Sequence, residues 1–270
     1  MTTSTATEFD TAWALWHHAR EDQLRDPLGF LSLTGLHWLT DRPERLDDVP
    51  GTWWVTDDKV FITAQPGDRL DFDGVRIAGV QILTPAEGAP GIEVRHGDRI
   101  LEVIRRTGRH AVRVHDPAAP ALVTFDGIPA YAPDPRWLVH GRYRPFDTPR
   151  TLTTGAVVEG LEHHHTATGT IEFAIGEVTE RVVAFGHGDD LRLLFTDATS
   201  GVTTYPAARS LAIGAADPDG TVRLDFNRSA NLPCAFTDFA TCPIAPAENR
   251  LRVAIEAGEQ HPGSGRGDHA

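Results

Sequence analysis

Apolar residues along this chain fall into two registers. Phe9, Trp13, Trp16 and Leu24 recur near the 3.6-residue period of a helix, with Asp10, Arg20 and Glu21 on its other faces. Thr7 reads as the N-cap of that helix, and Asp26-Pro27 followed by Gly29 reads as its stop. Two Trp on one stripe predict that the helix docks on a sheet. Beyond Gly29 the period drops to two. Trp53 and Val55, then Val60, Ile62 and Ala64, alternate with polar neighbours, as do Leu101 with Val103, Val112 with Val114, and Ile171, Phe173 and Ile175. The pattern repeats at Leu191, Leu193 and Phe195, at Val222, Leu224 and Phe226, and at Leu251, Val253 and Ile255.

The breaks between these runs carry hairpin chemistry: Asp73-Gly74, His96-Gly97-Asp98, Gly186 to Asp189, and Asp217 to Gly220. Many short strands with frequent turns predict a mainly β fold. The expectation is antiparallel sandwich- or barrel-like sheets in two packed lobes, with an N-terminal α-helix. Residues 1–259 read as one β-rich domain with lobes at 27–145 and 151–259, joined at the proline-bearing segment Pro145 to Arg150. The tail, 260–270, lacks apolar residues and reads as disordered.

Charge narrows the partners. The net charge is −13 with His neutral, which repels nucleic-acid backbones and anionic membranes alike. Met1 to Thr7 shows neither a basic n-region nor an apolar h-region, and no stretch has the apolar length of a membrane span. These observations predict a soluble, cytoplasmic protein in which Cys234 and Cys242 are thiols. Their separation is neither a CxxC pair nor half of a common zinc knuckle. No metal-binding residues are assigned, and cofactor, metal dependence and oligomeric state are not legible.

The most informative stretch runs from Asp225 to Glu259. A strand that places Arg223, Asp225 and Asn227 on one face is followed by about twenty irregular residues rich in Pro, Asn, Cys and Phe. Such long connections in compact domains are commonly functional. Leu232, Cys234, Phe236, Phe239 and Ile244 predict that this one packs onto the body. The carboxamides of Asn227, Asn231 and Asn249 suit its buried backbone groups. A structural Ω-like loop and a site-lining loop both remain open.

Three segments together resemble a known family. They are Phe30-Leu-Ser-Leu-Thr-Gly-Leu-His-Trp-Leu39, Phe195 through Tyr205 with Arg209, and Leu224-Asp-Phe-Asn through Cys-Ala-Phe, Thr-Cys-Pro, Glu-Asn-Arg-Leu and Ala-Gly-Glu259. The resemblance is to an uncharacterised bacterial and archaeal family, domain of unknown function 1684, over roughly Phe9 to Glu259. Leu232 stands where that family typically has a second proline before the first Cys. The resemblance implies one recurrent design and brings no activity with it.

Within these segments His37 has the side chain best suited to general acid–base work, in an otherwise apolar run that more often holds a hydrogen-bonded core histidine. Arg209 is a natural clamp for a carboxylate or phosphate, or a structural partner of Asp225 or Asp197. Asp197, Thr199 and Tyr205, like Arg209, follow the strand that ends at Phe195. Arg113 and His115 share a strand face ending at Asp116 and form a second cluster. Cys234 reads as a packed thiol or as a nucleophile needing His37 and an Asn or Asp beside it. His163-His164-His165 reads as a loop able to bind metal adventitiously, not as a site. No Gly-x-Ser-x-Gly, P-loop, Rossmann glycine or His-Glu-x-x-His motif occurs.

The sequence therefore predicts an enzyme, a hydrolase by class, acting on a small or anionic substrate; the alternative is a non-catalytic small-molecule binding module. His37, Cys234 and Asp225 are the candidate catalytic groups. Arg113, Asp197, Tyr205, Arg209, Asn227 and Asn249 are the candidate substrate-binding groups.

Overall fold

The computed structural model of the protein describes residues 2–262, and residues 263–270 of the expected tail lie outside them. Three antiparallel sheets and an N-terminal helix, α1 (Thr2–Leu24), make the fold mainly β. The helix ends just ahead of Asp26-Pro27, but it begins before Thr7, which lies within it. Among the described residues no helix is long and apolar enough to cross a membrane. The chain divides into two compact units. One comprises Asp22–Phe125 and Thr237–Ala240; the other comprises Met1–Glu21, Asp126–Phe236 and Thr241–Ala270.

The first unit holds β1 (Leu33–Trp38), β2 (Glu44–Leu46), β3 (Val49–Thr56), β4 (Lys59–Ala64) and β5 (Leu70–Phe72). It continues with β6 (Val75–Arg76), β7 (Gly79–Leu83), β8 (Ile92–His96), β9 (Arg99–Arg106) and β10 (Arg109–His115), and closes with a one-turn helix, α2 (Pro120–Val123). A six-stranded sheet in the order β1-β10-β9-β8-β5-β6 packs on a four-stranded sheet in the order β2-β3-β4-β7. Trp53, Val60 and Ile62 of the smaller sheet meet Leu101, Val103, Val112 and Val114 of the larger. Alternation thus turns the even-numbered residues of β10 inward and leaves Arg113 and His115 on the outer face. The hairpin at Asp73-Gly74 has φ values of 49° and 77°. Positive values at both central residues match the right-handed twist of the paired strands.

The second unit is built on one seven-stranded sheet. Its strands are β11 (Leu138–Gly155), β12 (Glu162–Ile175), β13 (Val178–Phe185), β14 (Arg192–Phe195), β15 (Arg209–Ala212), β16 (Thr221–Asp225) and β17 (Ala230–Asn231), in the order β16-β11-β12-β13-β14-β15-β17. Ile171, Phe173, Leu193, Leu211, Leu224 and Phe226 form the core on one face. Two expectations are corrected here. Pro145 to Arg150 is no join between lobes but a register shift inside β11, which proline tolerates because a bulge leaves the ladder locally unpaired. Leu251, Val253 and Ile255 form no strand; Leu251 and Ile255 are buried in the core by an extended segment held through scattered bonds, such as Leu251 N to the Thr196 carbonyl at 2.8 Å. Burial over a sheet imposes the same alternation as a ladder does. Gln260 N donates to the Pro129 carbonyl at 2.8 Å and His261 N to that of Thr203 at 2.9 Å, so the chain is anchored past Glu259.

Candidate functional site

The stretch from Asp225 to Glu259 packs through its apolar residues except Ile244, which is 40% exposed, and polar side chains satisfy its backbone. Asn249, fully buried, accepts from Val183 N at 2.7 Å and donates to the carbonyls of Val183 and Leu194, each at 2.9 Å. Arg209 is 1% exposed and gathers three alternate carbonyls of the segment 255–259. Its guanidinium donates to the carbonyls of Ala257 (2.5 Å), Ile255 (3.0 Å) and Glu259 (3.3 Å), and to Asp197 at 2.8 Å. Asp197 in turn accepts from the Thr199 N–H and hydroxyl and from Ile255 N. Asn227 binds both backbone groups of Asp134, and donates to Asp225 at 3.0 Å.

Helix α1 docks on this same region through polar groups of its inner face. Trp13 Nε1 donates to the Asn227 carbonyl at 2.8 Å, and Arg20, expected on an outer face, reaches the Asn231 carbonyl at 2.9 Å and Glu259 at 3.1 Å. Burial raises the Glu259 pKa, and the charge of Arg20 with the Asn231 N–H offsets that only in part. Of the residues proposed from sequence, Asp197 and Arg209 are therefore brought together, as are Asp225 and Asn227. Tyr205 is buried with its ring 5.7 Å from that of His261. His37 and Arg113 belong to the other unit, on β1 and β10. His37 is half-buried and its ring folds back over Gly35, where a Cβ would come 3.1 Å from Nε2.

Cys234 and Cys242 are buried thiols, not a disulfide. The Cys234 N–H donates to Cys242 Sγ at 3.2 Å, which ties the two arms of the loop at its neck. Each arm then presents one apolar residue, Leu232 and Pro243, to a cavity of about 730 Å³ on the sheet. That volume lies in the range of small-molecule sites.

The cavity exists because the sheet splits. β12 pairs with β13 only from Ala167 onward, and β13 pairs with β14 through the single pair Phe185 and Arg192. The end of β12 carrying His164 and His165 therefore projects beside β14 and β15 with no strand between. Phe185, Leu194 and Leu232, which pack as a small cluster on this face, supply the apolar floor. The turn from Gly186 to Asp190 closes one side, and it needs glycine at 186, where φ is +85° and a Cβ would overlap the Asp190 carbonyl.

Sequence reasoning set the His163–His165 run aside as a loop; it is part of β12. The alternation of that strand separates the three rings. His163 and His165 stack with centroids 6.1 Å apart, and His165 also packs on Phe185 at 5.0 Å. His165 Nε2 lies 3.1 Å from the Thr154 hydroxyl, and His164 Nδ1 lies 3.0 Å from that of Thr153. Burial lowers the His165 pKa, and the nearby charges of His163, Arg192 and His164 lower it further. Arg192 reaches Asp190 at 2.9 Å on the rim. Apart from Asp190, the ionisable side chains lining the cavity are bases: His164, His165, His187 and Arg192. With His counted neutral, Arg192 and Asp190 balance, so the lining carries none of the excess negative charge of a chain of net charge −13. Among the described residues no group of three His, Cys, Asp or Glu is placed to hold a metal ion.

The profile of the family described as "protein of unknown function (DUF1684)" matches residues 123–260, the region that contains the split sheet and its covering loop. An uncharacterised protein of Haloarcula marismortui, solved by solution NMR, is 26% identical over 50% of this chain and 77% of its own, with a TM-score of 0.43. No curated protein matches the sequence.

Proposed function

Since the chain belongs to the DUF1684 family, described as proteins of unknown function, we propose its role from the cavity itself: it binds a small organic anion with an apolar or aromatic body. The observation that carries this reading is the break between β13 and β14, which opens about 730 Å³ of space over an apolar floor and rims it with Arg192 and imidazoles. Phe185, Leu194 and Leu232 take the body of such a ligand. Arg192, with its forked donors, takes the carboxylate or phosphate.

Titration calorimetry with a set of aryl carboxylates and aryl phosphates, such as 2-naphthoate, tests the proposal, with the neutral amide 2-naphthamide as control. Arg192 is largely exposed and Ala212 is an exposed residue of the wall, so Arg192→Gln and Ala212→Trp leave the core intact. Saturable binding of the anions, weakened at least tenfold in both variants, supports the reading. No saturable binding across the set, or equal binding to both variants, rejects it.

A catalytic role for the same cavity has one feature in its favour: burial lowers the His165 pKa, which favours the neutral imidazole that a general base requires. Turnover of an aryl ester by the wild type and not by His165→Gln separates hydrolysis from binding. The catalytic set of His37, Cys234 and Asp225 is judged by labelling the native protein with a thiol reagent. Rapid modification of Cys234 is required of a nucleophile.

A further inference from the structure

A second cavity, of about 190 Å³, opens on the outer face of the six-stranded sheet, entirely within the Asp22–Phe125 unit. At roughly 30 Å³ per water this is the space of about six waters, which admits only a compact ligand. Its floor is charged and its lips are apolar. Leu28 and Phe30 line it and are 40% and 38% exposed, so a ligand seated there would cover apolar surface.

The floor is one cross-strand row. Arg113 on β10 stands opposite Glu102 on β9, and Glu102 stands opposite Glu93 on β8. Glu102 is fixed from three sides. It accepts from Gly91 N at 3.2 Å and from Arg113 Nη1 at 3.2 Å, and His115 Nε2 lies 3.5 Å away. Behind His115, Ser32 Oγ lies 2.8 Å from Nδ1 and donates to the Gly29 carbonyl at 2.7 Å, which fixes the ring plane. Glycine is required at 91, because a Cβ there would overlap Glu102 Cγ. Arg113 and His115 are 6% and 8% exposed, whereas Glu93 is exposed at the far end of the row. The row thus runs from the Arg113–Glu102 ion pair, with the buried guanidinium at its inner end, to the open carboxylate of Glu93 across three adjacent strands spaced about 4.8 Å apart.

We propose that this cavity binds a small zwitterion with an apolar side chain, of the α-amino acid class. The carboxylate turns to Arg113 and His115, the ammonium to Glu93, and the side chain lies between Leu28 and Phe30. A molecule carrying only a negative charge meets Glu102 and Glu93, and one carrying only a positive charge meets Arg113. A dipole aligned with the row meets opposite charges at both ends. The site is independent of the cavity on the seven-stranded sheet, with which it shares no residue.

Calorimetry on the full chain with L-leucine, L-methionine and L-phenylalanine tests the assignment, with 4-methylpentanoate and 3-methylbutylamine as the single-charge counterparts of leucine. Saturable binding of at least one amino acid is expected, with both single-charge compounds at least tenfold weaker. Glu93→Gln alters an exposed side chain and is expected to cost at least tenfold in affinity while leaving the unfolding midpoint unchanged. Arg113→Met is expected to cost more. Ala212→Trp, in the other cavity, is expected to leave amino-acid affinity unchanged while it weakens aryl-anion binding there. Absence of saturation with all three amino acids, equal binding of either single-charge compound, or unchanged affinity in Glu93→Gln overturns the proposal.

Discussion

Asn249 holds Val183 by both of its backbone groups, accepting from the N–H at 2.7 Å and donating to the carbonyl at 2.9 Å, and donates again to Leu194 on the next strand. A side chain from the covering loop thereby stands in the ladder where β13 and β14 have parted. Replacing it by leucine keeps the volume and strands buried backbone groups. Asn249→Leu is expected to destabilise the protein by about 3 kcal/mol, on the scale of 1–3 kcal/mol per unsatisfied buried group. Denaturant unfolding measures this; a loss below about 1 kcal/mol would mean that water takes over the three bonds.

Arg209 and Asp197 form an ion pair with both side chains at 0% exposure. Removing one partner of such a pair typically costs about 3–5 kcal/mol, because the other charge stays buried alone. Arg209→Met is expected to fall in that range, and the double variant Arg209→Met with Asp197→Asn to lose less than the two single losses added together. Equilibrium unfolding of the four proteins closes the cycle.

Anion binding at the split sheet should depend on pH through His165. Its pKa in the folded protein lies below the usual 6.5, chiefly through burial, so the free site holds it neutral. A bound anion favours the protonated ring and raises that pKa. Binding then takes up a proton and tightens as pH falls through the pKa of the bound form toward that of the free form, by about tenfold per unit at most for one group. The empty protein moves the other way: the unfolded chain takes up that proton first, so stability declines as pH falls from 6.5 toward the lowered folded pKa. Calorimetry in buffers of different ionisation enthalpy reads the proton uptake directly, and His165→Gln should abolish it.

Acid should act first on the unit that holds Glu102. Burial alone would raise its pKa, but the hydrogen bond from His115 and the charges of Arg113 and His115 outweigh burial and bring it down to about 2 from 4.5. A carboxylate held low contributes stability that is complete above 4.5 and disappears as pH falls toward 2. Unfolding followed by the Trp53 and Trp54 fluorescence in β3 should steepen across that interval. Glu102→Gln should lower stability at neutral pH and flatten the acid limb.

Gly186→Ala tests the rim of the larger cavity. The substitution forces an L-residue into a positive φ and into the Asp190 carbonyl, so the turn must open. Affinity for an aryl carboxylate is expected to fall severalfold, with a loss of stability of about 1 kcal/mol or more. Unchanged affinity would show that the turn plays no part in holding the ligand.

The sequence carried the architecture because burial on one face writes a period of two, as at Val112 and Val114, whose neighbours Arg113 and His115 were assigned to one shared face. It also carried the packing of the 225–259 loop, since asparagine carboxamides beside apolar anchors have few other uses. It misread Leu251 to Ile255 as a strand, because a segment draped over a core alternates just as a paired one does. The split between β13 and β14 left no mark in composition. It follows from which strand ends fail to pair, a matter of register between residues far apart in the chain. For the same reason the His163–His165 run, conspicuous in the sequence, had no context until Leu232 and Pro243 arrived from the loop to wall the space beside it.

The one registered pair between β13 and β14 divides the seven-stranded sheet into two leaves, β16-β11-β12-β13 and β14-β15-β17. Each leaf is laced internally by its own ladder, and the seam between them is spanned by Phe185 with Arg192 and by the amide of Asn249. Such a seam is the most compliant line in the sheet, and the larger cavity lies along it. The width of the binding space is therefore set by how far two stiff leaves stand apart at a seam that a single side chain gauges.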